Sequence, residues 1–100
     1  MQTRVQFVNM PTSESLEEFI NEKITTLPRK YNWLIKAEVK IKEENDPTPK
    51  GKVCEMELSA PGPRIFASSN EESFEAAVME TIKDLDRQLQ RRKGSMRPHR

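Results

Sequence analysis

The stretch from Leu34 to Ala60 constrains what this chain can fold into more than any other. In LIKAEVKIKEE, Ile35, Ala37, Val39 and Ile41 alternate with Lys36, Glu38, Lys40 and Lys42. In VCEMELSA, Cys54, Met56, Leu58 and Ala60 alternate with Glu55, Glu57 and Ser59. A period of two sends successive side chains to opposite faces of a pleated strand, so both stretches predict strands with one apolar and one wet face. NDPTPKGK between them, with two prolines and a glycine, predicts a loop. A sheet of this kind needs cover on one face only.

Two helical periodicities supply the cover. Leu16, Phe19, Ile20, Ile24 and Leu27 fall on one face of a predicted helix. Ser13 or Thr12 is its expected N-cap, Glu14, Glu17 and Glu18 suit its positive end, and Pro28 is its expected stop. Phe74, Val78, Ile82, Leu85 and Leu89 form a narrow apolar arc on a second helix. Asn70 or Ser69 is expected to cap it, and it should run to about Lys93, with Gly94 as its stop. Residues 3–9 predict a first strand, with Val5 and Phe7 inward, and RIFAS predicts a fourth after the Pro61-Gly62-Pro63 turn. The order β-α-β-β-β-α predicts an α+β sandwich: a four-stranded mixed sheet with both helices on one face. The first helix would cross between neighbouring parallel strands, and the last three strands would form a meander. Residues 1–94 are expected to form one domain, and 95–100 a basic, disordered tail.

Composition narrows the chemistry. Cys54 is the only cysteine and His99 the only histidine, which leaves no cysteine or histidine metal cluster and no His-based catalytic constellation. Gly51, Gly62 and Gly94 stand too far apart for a phosphate-cradling loop. No catalytic residue, cofactor, metal or small-molecule substrate is expected, and no enzyme. A lone cysteine suits a reducing cytoplasm, with Cys54 as a small core hydrophobe. No apolar run approaches a signal peptide or a membrane span, so no membrane partner is expected.

Charge points elsewhere. The 100 residues carry a formal net charge of +1, yet residues 87–100 hold six Arg/Lys and no carboxylate, leaving −5 on residues 1–86. On the second helix Lys83, Arg87 and Arg91 recur every fourth residue opposite the apolar arc, and Arg92 and Lys93 carry the charge around the last turn. Cations near a helix C-terminus are favoured by about 0.3–1 kcal/mol each, and solvated faces are usually charged. Glu80 and Asp84 could pair with Lys83 and Arg87 on the same face. The arginines beyond residue 90 exceed what the dipole requires. A row of planar donors one turn apart can follow a phosphate backbone, and the acidic remainder would orient the molecule on it. Lys23, Arg29 and Lys30, at the end of the first helix, could widen the patch. Tyr31 and Trp33 are expected at the core edge, and Lys36, Lys40 and Lys42 in cross-strand pairs with Glu38, Glu55 and Glu57.

The segments SESLEEFINEKITTL, IKAEVKIKEEN, IFASS and AAVMETIKDLDRQLQRRK, in this order and spacing, resemble the short ribosome hibernation promoting factors, which include ribosome-associated inhibitor A and were long described as sigma-54 modulation proteins. The likeness spans roughly residues 1–95. It implies a fold similar to double-stranded-RNA-binding domains. It also implies binding to the small ribosomal subunit and its rRNA, in the channel for mRNA and tRNA, and a block on translation by occlusion. Family positions that contact rRNA match Lys23, Arg87, Arg91, Arg92 and Lys93. With Lys83 as a fourth-residue neighbour and Arg29 and Lys30 outside them, these form the expected rRNA-binding set. Glu75 and Met79 stand where many members carry tyrosine and aspartate, and Asp84 where lysine is frequent, so contacts at those positions should differ. Long members add a dimerisation domain; a short form is expected to be monomeric off the ribosome and not to pair ribosomes. The alternatives are a generic double-stranded-RNA binder and a protein-interaction module acting on a sigma factor.

Overall fold

The alternating stretches pair with each other. In the computed structural model, which describes residues 1–95, strand β2 (Lys36–Glu43) lies antiparallel to β3 (Lys52–Ser59), with Val39 opposite Met56 and Ile41 opposite Cys54. β1 (Gln2–Phe7) pairs parallel with β2, and β4 (Ile65–Glu71) antiparallel with β3, giving the sheet order β1-β2-β3-β4. Helices α1 (Glu14–Ile24), α2 (Thr26–Lys30) and α3 (Phe74–Ser95) complete the expected α+β order. Ala37, Val39, Ile41, Cys54, Met56, Leu58, Ile65 and Ala67 face the helical layer, packed against Leu16, Ile20, Ile24, Val78, Leu85 and Leu89. Burial pushes the Cys54 thiol up to about 12, so Cys54 serves as a core group and not as a nucleophile.

The open face of the sheet is charged and largely self-paired. Glu38 lies opposite Glu57, a like-charge pair that would cost stability if left alone. Lys36 approaches Glu38 at 3.4 Å and Arg64 approaches Glu57 at 3.3 Å, which relieves both. Lys42 reaches diagonally to Glu55 at 3.0 Å.

Several boundaries differ from the sequence expectation, each for a local reason. β1 ends at Phe7, because Asn9 adopts a left-handed conformation (φ 55°) that leaves the strand. Ile35 precedes β2 and is 59% exposed; Leu34, arriving from α2, fills the core in its place. Pro28 does not stop the first helix. It sits in the first turn of α2, where its missing N–H has no intrahelical partner to lose. The break falls instead at Thr25, and the Thr25 and Thr26 hydroxyls donate to the carbonyls of Glu22 and Lys23. Ser13 caps α1 as expected. Neither Ser69 nor Asn70 caps α3; both belong to β4, and Ser73 accepts from the Ala76 N–H. The Asn70 side chain instead accepts from the Gly51 N–H at 2.7 Å and donates to Asp46, closing the β2–β3 loop. Gly51 is required there, since its φ is 131° and a Cβ would stand 2.6 Å from the Glu44 carbonyl. Gly94 does not end α3, which continues to Ser95. The rest of the expected tail, residues 96–100, lies outside the described residues.

Candidate nucleic-acid interface

Topology converts the uneven charge of the sequence into a polar molecule. β1, β2 and β4 run in one direction, so α1 and α3, each following one of those strands, both return in the other. Both helix N-termini therefore share one end with the ends of β2 and β4. Glu14 and Glu17 stand in the first turn of α1 and Glu75 in that of α3, where the helix dipoles favour them, with Glu43 and Glu71 closing β2 and β4. The opposite end collects Arg29 and Lys30 of α2 and Arg87, Arg91, Arg92 and Lys93 of α3. An approaching polyanion is drawn to one end and repelled by the other.

The cations of α3 point in three directions. Ala77, Val78, Thr81, Ile82, Leu85 and Leu89 are buried against the sheet, which sends Arg87 and Arg91 straight outward. Lys83 and Lys93 turn toward α2. Lys83 lines a groove with Thr26, Leu27, Lys30 and Asp86, and Lys93 lines its continuation with Lys30, Tyr31 and Gln90. Arg92 turns the other way and is half-buried. Its Nη1 donates to the carbonyls of Pro61 at 3.3 Å and Pro63 at 2.5 Å, pinning a turn in which Gly62 has φ 96°. Lys83, Arg87, Arg91 and Lys93 are exposed, and among the described residues none of them pairs with a carboxylate. The expected partners Glu80 and Asp84 do not engage Lys83 or Arg87.

The outer residues divide as well. Arg29 is exposed. Lys23 stands 3.8 Å from Glu22 and over the Phe19 ring. Lys30 is held: its Nζ donates to both carboxylate oxygens of Asp86, at 3.0 and 2.8 Å. The Tyr31 hydroxyl donates to the same Asp86 Oδ1 at 2.6 Å. Tyr31 is buried, in edge contact with Trp33, and Lys30 and Lys93 both lie within 6 Å of its ring centroid. Burial, reinforced by the neighbouring Asp86, pushes the Tyr31 phenol up to about 12. Burial works against the charge on Asp86, but the bonds from Lys30 and Tyr31 and the charge of Lys30 outweigh it, holding the carboxyl below its ordinary value.

Sequence periodicity did not single out Asp86, because its partners lie 55 and 56 residues away and no local pattern marks them. The same holds for Gln88, which donates to the Phe66 carbonyl at 2.9 Å on the edge strand, 22 residues away.

The placement of Arg92 makes a prediction. Arg92→Met keeps a long unbranched side chain but removes Nη1, the one nitrogen that donates to both carbonyls. The loss should cost about 1–2 kcal/mol and lower Tm by about 5–10 °C in a thermal melt followed by circular dichroism. An unchanged Tm would show that the turn does not depend on this contact.

Comparison with known proteins bears on this arrangement. The profile of the family described as Sigma 54 modulation protein / S30EA ribosomal protein matches residues 3–97. The chain belongs to this family. Among solved structures, it is similar to a ribosomal subunit interface protein from Coxiella burnetii, with a TM-score of 0.83 at 17% identity, covering 94% of this chain and 99% of that one. It is also similar to the N-terminal domain of Protein Y from Thermus thermophilus, with a TM-score of 0.77 at 18% identity, covering 91% and 98%. At such identities the likeness establishes the fold. By sequence the chain matches no curated protein. The S30EA family's sheet-and-helix frame thus carries, in this member, a basic end whose unpaired cations among the described residues are Arg29, Lys83, Arg87, Arg91 and Lys93. No helix of the described residues is long and apolar enough to cross a membrane.

Proposed function

We propose that this member of the S30EA family binds the small ribosomal subunit through rRNA phosphates, in the channel that mRNA and tRNA would occupy, and blocks translation by occlusion. The observation that carries the reading is the row of unpaired cations, Lys83, Arg87, Arg91 and Lys93, toward the end of the molecule opposite the acidic helix N-termini. Arginine presents a planar fork that suits phosphate, and outward side chains 6 Å apart along a helix can follow a folded backbone. Lys23 and Arg29 flank the row. The protein acts as a cytoplasmic monomer, without catalysis, and its effect comes from the volume it fills.

Co-sedimentation with purified ribosomes tests this. Pelleting should weaken steeply with salt, with a log-log slope of about −3 to −4 if four phosphates are met as on a duplex. Pre-bound mRNA and tRNA should prevent it. Failure to pellet at low salt would overturn the reading. Equal retention on any long RNA duplex would make the protein a generic double-stranded-RNA binder. A shallow salt dependence would point to a protein partner, such as a sigma factor.

A further inference from the structure

In the groove between α2 and α3 the basic end holds a cation paired with a carboxylate, Lys30 with Asp86. Lys30 and Lys83 line it with Asp86 and Glu80, and Lys30, Tyr31, Gln90 and Lys93 line its continuation. Lys30 lines both stretches, and Asp86 is the carboxylate that holds it. Its Oδ1 accepts from Tyr31 and Lys30, its Oδ2 from Lys30, and its side chain is only 29% exposed. A carboxylate so placed is fixed in position by a buried ring and screened less than a fully solvated one.

This has two consequences for a polyanion. First, Lys30 cannot reach a phosphate without abandoning two hydrogen bonds and leaving Asp86 beside that phosphate. Second, any phosphate entering the groove meets Asp86 as well as the lysines. A ligand touching only the outward row, Arg87 and Arg91, meets neither penalty, because those side chains face away from α2. Discrimination between ligands is a difference of affinities, and an unfavourable contact built against the wrong one supplies it. We propose that Asp86 is a specificity-determining residue, which withholds Lys30 and disfavours phosphates that enter the α2–α3 groove, while the exposed Lys83 and Lys93 stay open to phosphates outside it, so that duplex RNA in general is disfavoured relative to an RNA surface that fits the exposed row. The inference rests on the phosphate-binding reading of this end.

The test uses two ligands, purified ribosomes and a 20-base-pair RNA duplex of arbitrary sequence, and three variants. Asp86→Asn keeps the shape and can still accept from Tyr31, but frees Lys30. It should raise duplex affinity about tenfold near 0.1 M salt and steepen the salt slope by about 0.9, one further phosphate contact, with ribosome binding changed less than about twofold. Lys30→Gln in the otherwise native protein should leave the duplex slope unchanged, because Lys30 is withheld. In the Asp86→Asn background the same change should restore the native slope. Tyr31→Phe removes a bond that orients Asp86 without altering charge, and should leave the slope alone. The proposal is overturned if folded Asp86→Asn binds duplex with native affinity and slope, or if Lys30→Gln alone makes the slope shallower. Failure of the native protein to bind ribosomes would defeat the proposed function instead, and the duplex arm would still report on Asp86.

Discussion

Arg87→Glu combined with Arg91→Glu is expected to abolish ribosome pelleting, lowering affinity by about 100-fold or more, while the domain stays folded. Each change removes a phosphate donor and puts a like charge in its place. Like-charge juxtaposition at an interface costs several kcal/mol, and each 1.4 kcal/mol is about tenfold in affinity. The cost to folding is small because both side chains are exposed and neither pairs with a carboxylate among the described residues. What remains is the unfavourable placement of acids near the helix C-terminus, about 0.3–1 kcal/mol each. Circular dichroism should therefore show a native spectrum with Tm lowered by several degrees. Undiminished pelleting by a folded double variant would mean that the outward row is not the contact face. The matched pair Arg87→Gln and Arg91→Gln should fall between, since donors are lost without new repulsion.

The second large effect concerns the seat of α3. Leu85→Ala should destabilise the domain by about 3 kcal/mol, within the range for buried leucines. Leu85 is fully buried, at 0% exposure, between Asp84 and Asp86 on the helix that carries every cation of the row. In a domain whose total stability is about 5–15 kcal/mol, this is a large fraction, and Tm should drop by about 10–20 °C. Ribosome binding measured well below the new Tm should persist, because the outward side chains do not touch Leu85. A loss under 1 kcal/mol would mean that α3 is not seated on the sheet through this face.

The two variants separate the roles of one helix, and only one of those roles had a signature in the sequence. The apolar arc of α3 followed from spacing alone: Val78, Ile82, Leu85 and Leu89 are all buried where the wheel puts them. Thr81 shares that arc and is equally buried, yet the hydrophobic pattern passes over it. Its hydroxyl is satisfied by the Ala77 carbonyl at 2.8 Å and by the Cys54 carbonyl of the neighbouring strand. The strands followed from a period of two, and the inward sets of β2, β3 and β4 are those the alternation named, save Ile35 and Ala60 at the margins and Val53, which is buried out of phase at the start of β3. Local propensity was weaker at the ends of elements. Proline, glycine and the polar residues before α3 were each compatible with more than one role, and a contact or a backbone angle chose between them.

The candidate interface divides along the same line. Outwardness is a property of the helix wheel, so the exposure of Arg87 and Arg91 could be deduced once the apolar arc was known. Whether a neighbouring cation is free depends on what stands beside it in space. Arg92 and Lys93 are adjacent in sequence, yet one clamps the Pro61–Pro63 turn and the other faces Tyr31. Lys30 carries the same formal charge as Arg29, but α3 brings Asp86 against it and Arg29 has no such partner among the described residues. Periodicity and charge count by themselves determined the sheet, its helical cover and the polarity of the chain, because each depends on residues a few positions apart. The tertiary structure alone decided which cations remain available, because an ion pair or a carbonyl clamp forms between residues that only the closed fold brings within 3 Å.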